Sequence, residues 1–222
     1  MKKIFLFIIA IALLSVAASA QITKGSSYLG GDIGLSHSKS ESDQIEYDTK
    51  ATTIGASASI GFAYKENRVW GLSLNYTYLN SEDASQDRKL NGYGAGVFLR
   101  QYKPLGKGFY LFANEGLNLL YSVEDWHYSA AGGTWFGLKT YSASVGLSPG
   151  VAYDVNRKFQ LELSLNNMIY ADYSHQKSPD PGSVFFDGKS TRNTFSLGSD
   201  LNNLAKLGSV RIGARWVLGR HK

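Results

Sequence analysis

Cysteine is absent from the 222 residues of this chain, and proline occurs only 4 times. Without cysteine the chain forms neither disulfide bonds nor a lipid-modified cysteine at a processing site. The formal net charge is +5, but the basic residues form no stripe or cluster of the kind that nucleic-acid binding requires. After residue 20 no apolar stretch approaches the length of a transmembrane helix. These absences exclude a disulfide scaffold, and they predict no nucleic-acid partner.

The sequence also lacks the motifs that indicate catalysis or metal binding. It contains no Gly-x-Ser-x-Gly motif and no phosphate-binding loop. Its acidic groups do not have the spacing of an EF-hand, and its histidines do not have the spacing of zinc ligands. Those histidines are His37, His127, His175 and His221. The sequence therefore predicts no metal, no cofactor and no enzymatic activity.

The first residues have the organisation of a secretory signal peptide. Lys2 and Lys3 precede an apolar run over residues 4–16, and Ala18-Ser19-Ala20 forms a cleavage site of the A-x-A type. We expect residues 1–20 to be removed, which leaves a mature domain of residues 21–222. Loss of the two lysines lowers the formal net charge from +5 to +3.

Glycine and aromatic residues are abundant, with 24 Gly, 14 Tyr, 11 Phe and 4 Trp. This composition is typical of β structure. Apolar residues such as Ile54, Ile60 and Phe62 alternate with small ones such as Gly55 and Ser57, as in strands whose two faces differ. The alternating segments are 29–35, 54–64, 70–78, 92–100, 109–123, 141–153, 159–166 and 210–218. The pattern predicts eight strands.

Short and long connections alternate between these strands. The short ones are 65–68, 103–108 and 154–158, and the long polar ones are 39–49, 80–89, 124–137 and 173–191. A barrel that crosses a membrane shows this asymmetry between its two ends. Residues 193–201 also alternate, but bacterial single-chain barrels normally have even strand numbers. We therefore assign 193–201 to the outer extension of the last hairpin and 208–218 to the eighth strand.

The two faces of the strands indicate what each one meets. Large apolar residues share one face and have aromatics near the strand ends, such as Tyr64, Trp70, Tyr141 and Trp216, as an interfacial girdle requires. The other face carries glycine, serine and scattered charges, which suit the narrow interior of eight strands. The sequence therefore predicts an all-β fold, a transmembrane up-and-down antiparallel β-barrel of eight strands with its apolar face toward lipid.

This pattern resembles the small outer-membrane β-barrels of Gram-negative bacteria, the OmpX-like and OmpA-barrel-like proteins. The segments that carry the resemblance are 54–62, 91–102, 144–153 and 209–216. It implies a location in the outer membrane, contact with its lipids and lipopolysaccharide, and long loops available to an extracellular ligand. The oligomeric state stays open, with a monomer favoured. The chain departs from the family's usual ending, a C-terminal aromatic residue, because six residues follow Trp216.

Several charged residues fall on the predicted inward face, where buried charges must pair or stay hydrated. They are Asp32, Arg100, Glu162, Arg211 and Arg215, joined by Glu115 if a β-bulge near Gly116 turns it inward. We expect a structural ion-pair network that fills the lumen. The alternative is a narrow polar pathway for ions or small solutes.

Three functions remain open for such a barrel. The first is a structural or adhesive surface role in which the exposed loops are the interaction sites. The second is a narrow pore. The third, suggested by His37 beside Ser36 and Ser38 and by His175 beside Ser174, is a lipid A-modifying enzyme at the outer rim. The first is the prediction, since no catalytic motif supports the third.

Overall fold

A computed structural model describes residues 22–40, 49–83, 86–128, 134–178, 190–199 and 210–219. These residues form ten strands and contain no helix that could cross a bilayer. The strands are β1 (Ser27–Ser40), β2 (Thr49–Lys65), β3 (Arg68–Glu82), β4 (Gln86–Gly106), β5 (Phe109–Tyr128), β6 (Thr134–Asn156), β7 (Phe159–Leu165), β8 (Ile169–Lys177), β9 (Thr191–Ser199) and β10 (Val210–Gly219). The predicted signal peptide, residues 1–20, lies outside the described part of the chain.

Eight of the strands close into a ring. β1 to β7 pair in chain order, each antiparallel to the next, and β10 closes the ring between β7 and β1. The predicted eight-stranded antiparallel barrel is confirmed. β8 continues the course of β7 after a break at Asn167, which has a φ of 45°, and pairs with the other end of β6. β9 pairs with β8, so residues 191–199 extend the last hairpin and β10 is the eighth strand.

The register of the ring determines its shape. Followed from strand to strand around the barrel, the pairing that starts at Phe109 returns to β5 at Leu119, a displacement of ten residues. Eight strands with this displacement tilt by about 40° from the barrel axis and enclose a bore that side chains can fill. The described barrel is therefore narrow.

Apart from Glu115 on β5, the outward face carries no charged side chain of the described residues between two girdles of aromatic residues. The turn girdle lies beside the short turns after β2, β4 and β6, and the rim girdle lies toward the opposite end. The turn girdle comprises Phe62, Trp70, Phe109, Tyr153, Phe159 and Trp216, and the rim girdle Tyr76, Tyr93, Tyr121 and Tyr141. Phe109 and Tyr121 are separated by twelve residues of β5, which rise about 30 Å along the axis of a tilted barrel. This distance matches the hydrocarbon thickness of a bilayer.

Two of the long connections predicted from the sequence are mostly strand. β3 runs to Glu82 and β4 begins at Gln86, while β5 runs to Tyr128 and β6 begins at Thr134. Polar residues beyond the rim girdle continue the cross-strand hydrogen bonding because a β-ladder needs paired backbones and not an apolar face. The strands therefore extend well past the apolar band.

Two glycines on the inward face make room for aromatic rings in the bore. A Cβ atom at Gly71 would overlap the Phe98 ring, and one at Gly150 would overlap the Phe112 ring. Both rings are buried, at 7% and 4% exposure. A side chain at either glycine would displace an aromatic ring that fills the lumen.

We expect Gly71→Ala and Gly150→Ala each to lower the free energy of unfolding by about 1–3 kcal/mol, the usual cost of overpacking. Denaturant titration of the detergent-folded protein measures this change. Gly219→Ala is the control, because a Cβ there meets no atom within 4 Å. Equal stability of all three variants would contradict the close packing of Phe98 and Phe112.

Candidate functional site: the bore of the barrel

Three charged side chains meet inside the barrel at the end nearer the short turns. Arg100 on β4 donates from Nη1 to both carboxylate oxygens of Glu162 on β7, at 2.7 and 2.8 Å. Arg215 on β10 donates from Nε to Glu162 Oε1 at 2.5 Å. All three side chains are 5–8% exposed. Since β4 and β7 lie three strands apart in the ring, the Arg100–Glu162 pair ties opposite walls together. We call these three residues the bore network.

The local strand geometry places these groups inside. Arg100, Glu162 and Arg215 each occupy the inward positions of an alternating strand. Gly213 pairs with Glu162 across β10 and β7, and a Cβ there would approach the Glu162 Cβ at 3.5 Å. The missing side chain leaves room for the carboxylate beside its two arginines.

Aromatic rings surround the bore network. The Arg100 guanidinium lies 4.3 Å from the Phe112 ring centroid, and Arg215 lies 5.6 Å from that of Phe98. Tyr102 contacts Phe112 and Tyr110 with centroids 5.8 and 5.9 Å apart. We call Phe98, Tyr102, Tyr110 and Phe112 the aromatic floor. Cation–π attraction offsets part of the energetic cost of burying two arginines beside a single glutamate.

Below the aromatic floor, a smaller set of polar contacts fills the turn end. The Tyr110 hydroxyl donates to Asp154 Oδ2 at 3.0 Å, and Gln160 Nε2 donates to Asp154 Oδ1 at 2.9 Å. Tyr110 and Gln160 are almost fully buried, at 1% and 2% exposure. This end of the bore is packed with side chains.

On the rim side of the network the bore widens into a cavity of about 490 Å³. Its walls are mainly serine and asparagine. Arg211 Nη1 lies 2.7 Å from Asp32 Oδ1, and the Ser57 hydroxyl donates to Asp32 Oδ2 at 2.5 Å. Asn75 Nδ2 donates to Asn118 Oδ1 at 3.3 Å. The cavity thus offers many neutral hydrogen-bonding groups and one further ion pair to water or a small polar solute.

The sequence prediction missed two polar features on the inward side. Asp172 on β8 lines the cavity together with Tyr170 and Ser196. Near the rim, Arg88 forms an ion pair with the buried Glu124, and its guanidinium lies 5.1 Å from the Trp126 ring. Residues 170, 172 and 174 alternate with 171 and 173, so the parity of the strand could have revealed Asp172.

Glu115 is not in the bore, and its predicted inward position was wrong. Glu115 pairs with Leu99 on β4 and with Leu147 on β6, and the register is continuous through Gly116 on both sides. The predicted bulge is therefore absent from β5. Without the extra residue of a bulge the alternation is not shifted, and Glu115 is exposed on the same outward face as Leu117 and Leu119.

The two histidines considered for catalysis make only local contacts. His37 Nδ1 lies 3.0 Å from Thr52 Oγ1, and His175 Nδ1 lies 2.6 Å from Asn193 Oδ1. Neither has a carboxylate or a serine hydroxyl as a hydrogen-bond partner within the described ranges. The described part of the chain contains no group of three or more His, Asp or Glu side chains that could hold a metal ion.

The family model described as the outer membrane protein beta-barrel domain matches residues 6–200 of the chain. The chain belongs to this family. It is therefore an outer-membrane β-barrel protein, located in the cell outer membrane. Short turns of such barrels face the periplasm and long connections face the exterior. The bore network accordingly lies toward the periplasm, and the cavity lies toward the outside.

Solved structures of other outer-membrane proteins are similar to this barrel in fold. Neisserial surface protein A is 17% identical over 87% of this chain and 97% of its own, with a TM-score of 0.42. The outer membrane protein OprG from Pseudomonas aeruginosa is 12% identical over 89% and 98%, with a TM-score of 0.48. A major outer membrane protein from Thermus thermophilus is 10% identical over 86% and 99%, with a TM-score of 0.44. No curated protein sequence matches the chain.

Glu162→Ala tests the energetics of the bore of this outer-membrane barrel. The substitution leaves Arg100 and Arg215 buried without their shared acceptor, so we expect the free energy of unfolding to fall by about 3–5 kcal/mol. Unfolding by guanidinium in detergent micelles measures it. Asp32→Ala is the comparison, since Asp32 and Arg211 are 27% and 20% exposed and remain hydrated. Losses of the same size would contradict a special role for the bore network.

Proposed function

We propose that this protein is a non-conducting outer-membrane barrel with a structural and adhesive role, which displays its outer strand ends to the cell exterior. The observation that carries the proposal is the Arg100–Glu162 pair across the bore, at 2.7 Å, seated on the aromatic floor. An ion passing through would have to break hydrogen-bonded charges that are almost fully buried, which is costly. A barrel whose lumen is closed serves to hold the outer strand ends at the membrane surface.

The outer strand ends support a display role. β5 continues for seven residues beyond Tyr121 of the rim girdle. In this extension Glu124 is 4% exposed and is held by Arg88, whose guanidinium also faces Trp126. Charge-assisted hydrogen bonds of this kind stabilise one geometry. The extension is therefore built as a sheet with fixed side chains, which suits recognition of a partner outside the cell.

β9 gives a second reason for an adhesive role. It pairs with β8 along one edge, and its other edge has no partner among the described strands. Phe195 and Leu197 on β9 are 72% and 77% exposed, the largest values for big apolar side chains in the described residues. An unpaired edge with exposed apolar side chains is a template for pairing with another chain.

The cavity of about 490 Å³ favours a second candidate, a narrow pore for ions or small solutes. Its serine and asparagine walls would suit a hydrated path. An ion following this path would still have to pass the bore network. The two candidates therefore differ in whether the folded barrel conducts ions. The enzymatic alternative has no support from the contacts of His37 and His175.

We expect the folded protein to show no stable conductance steps in planar lipid bilayers, because the bore network closes the lumen. Single-channel recording measures this directly. A steady conductance that changes with Arg100→Ala or Arg215→Ala, but not with Arg68→Ala at the periplasmic turn, would refute the sealed barrel and establish the pore.

The adhesive role is tested by the settling of a non-aggregating Gram-negative host that expresses the protein. We expect expression to speed cell aggregation, and Phe195→Ser with Leu197→Ser to reduce that gain at least severalfold because the exposed edge loses its apolar side chains. Val155→Ser is the matched control, since Val155 is 48% exposed but lies at the periplasmic end. Unchanged aggregation in the β9 variant, at equal surface abundance, would remove β9 as the adhesive edge.

A further inference from the structure

Glu115 occupies an unusual place on the barrel wall. It lies six residues from Phe109 in the turn girdle and six from Tyr121 in the rim girdle, and it is exposed on the outward face. On a strand of uniform rise this is the middle of the apolar band. The carboxyl group therefore faces the centre of the bilayer.

No other charged side chain of the described residues faces outward between the two girdles. Glu115 also has no hydrogen-bond or ion-pair partner in the described chain. A polar group without a partner is expensive in hydrocarbon, and for the lipid face of a barrel the cost is greatest at the midplane. Within the described residues, nothing offsets this cost.

The surface around Glu115 allows another wall to approach closely. Ala113 precedes it on the outward face of β5 and lies in register between Gln101 on β4 and Pro149 on β6. Ala113 and Pro149 have smaller side chains than Leu99 and Leu147, which flank Glu115 in register. Small residues beside a polar one are typical of contacts between transmembrane helices, because they let backbones approach and bring the polar group to a partner. The same reasoning applies to the wall of a barrel.

The depth of Glu115 indicates which partner fits. All copies of a barrel insert in the same orientation, so copies related by a two-fold axis along the membrane normal place Glu115 at one depth. Since no outward basic side chain of the described residues lies in this band, a second copy offers not a salt bridge but another carboxyl group. A neutral carboxyl donates one hydrogen bond and accepts others, so two carboxyl groups that share a proton can satisfy each other.

We propose that the outward face of β4, β5 and β6 around Glu115 is a dimer interface with a second copy of this chain. The two Glu115 carboxyl groups hydrogen-bond across the two-fold axis, and the small side chains of Ala113 and Pro149 let the two walls approach. This proposal is independent of the adhesive role, which concerns the opposite end of β5 and the edge of β9.

Thiol cross-linking in lipid vesicles tests the interface. Because the chain has no cysteine, Ala113→Cys introduces a single thiol next to Glu115. With the purified mature protein folded in phosphatidylcholine vesicles at low density, we expect a thiol-specific cross-linker to give dimers. Ala214→Cys is the matched control, an outward alanine on β10, three strands away in the ring. We expect it to give only the background of random collisions.

Substitutions at Glu115 then distinguish the contribution of its carboxyl group to dimerisation from that of the surrounding side chains. In the Ala113→Cys background we expect Glu115→Leu to weaken dimerisation about threefold to tenfold, the range for hydrogen bonds between membrane segments. Glu115→Gln keeps a donor and an acceptor and should retain the dimer. Equal cross-linking of the two cysteine positions, or an unchanged yield with Glu115→Leu, would overturn the proposal. Both substitutions leave the inward face unchanged. The difference in gel mobility between unheated and heated samples checks that the variants are folded.

Discussion

Closure of eight strands with a displacement of ten residues is the constraint on which the structure depends. It removes every free edge within the ring and makes the bore so narrow that large side chains cannot all point inward. Gly71 and Gly150 are needed where Phe98 and Phe112 cross the lumen, since a Cβ at either position would touch the ring. The alternation of large and small residues is thus a consequence of the radius: bulky side chains face the lipid and small ones face the bore.

The same radius explains how three charged side chains from three different strands meet at one level of the bore. Glu162 accepts from two arginines on β4 and β10 at once, which requires walls close enough for side chains to meet across the lumen. One carboxylate balances only one of the two cations, and the aromatic floor supplies the remaining attraction through the Phe112 ring at 4.3 Å. Beyond this level the cavity is lined mainly by serine and asparagine, together with the Asp32–Arg211 ion pair. The bore is therefore closely packed with side chains at its periplasmic end and has room for water or a small polar solute at its outer end.

Strand identity and the facing of most residues could be predicted from the sequence because period-two alternation is local. The structure places Asp32, Arg100, Glu162, Arg211 and Arg215 inside, where parity puts them, but parity does not tell which of them meet. The partners of Glu162 come from β4 and β10, 62 and 53 residues away along the chain, and they are brought together only by ring closure. The strand extensions past residues 80 and 124 could not be distinguished from loops. Their residues are polar on both faces, so no alternation marks the backbone pairing.

Glu115 shows where the rule that charge belongs inside fails. The expectation of a bulge rested on the premise that a carboxyl group avoids the lipid face, yet the hydrogen-bonded register of β5 with both neighbours is unbroken there. A bulge near Gly116 would have disrupted two ladders at the centre of the barrel and, together with Glu115, turned the preceding outward residues Leu111 and Ala113 into the narrow bore. Keeping the register costs the solvation of one carboxyl, whereas breaking it costs several hydrogen bonds in a medium without water to replace them. The chain therefore keeps its closed sheet, and the exposed carboxyl, which has no partner among the described residues, becomes a group that a neighbour in the membrane can satisfy.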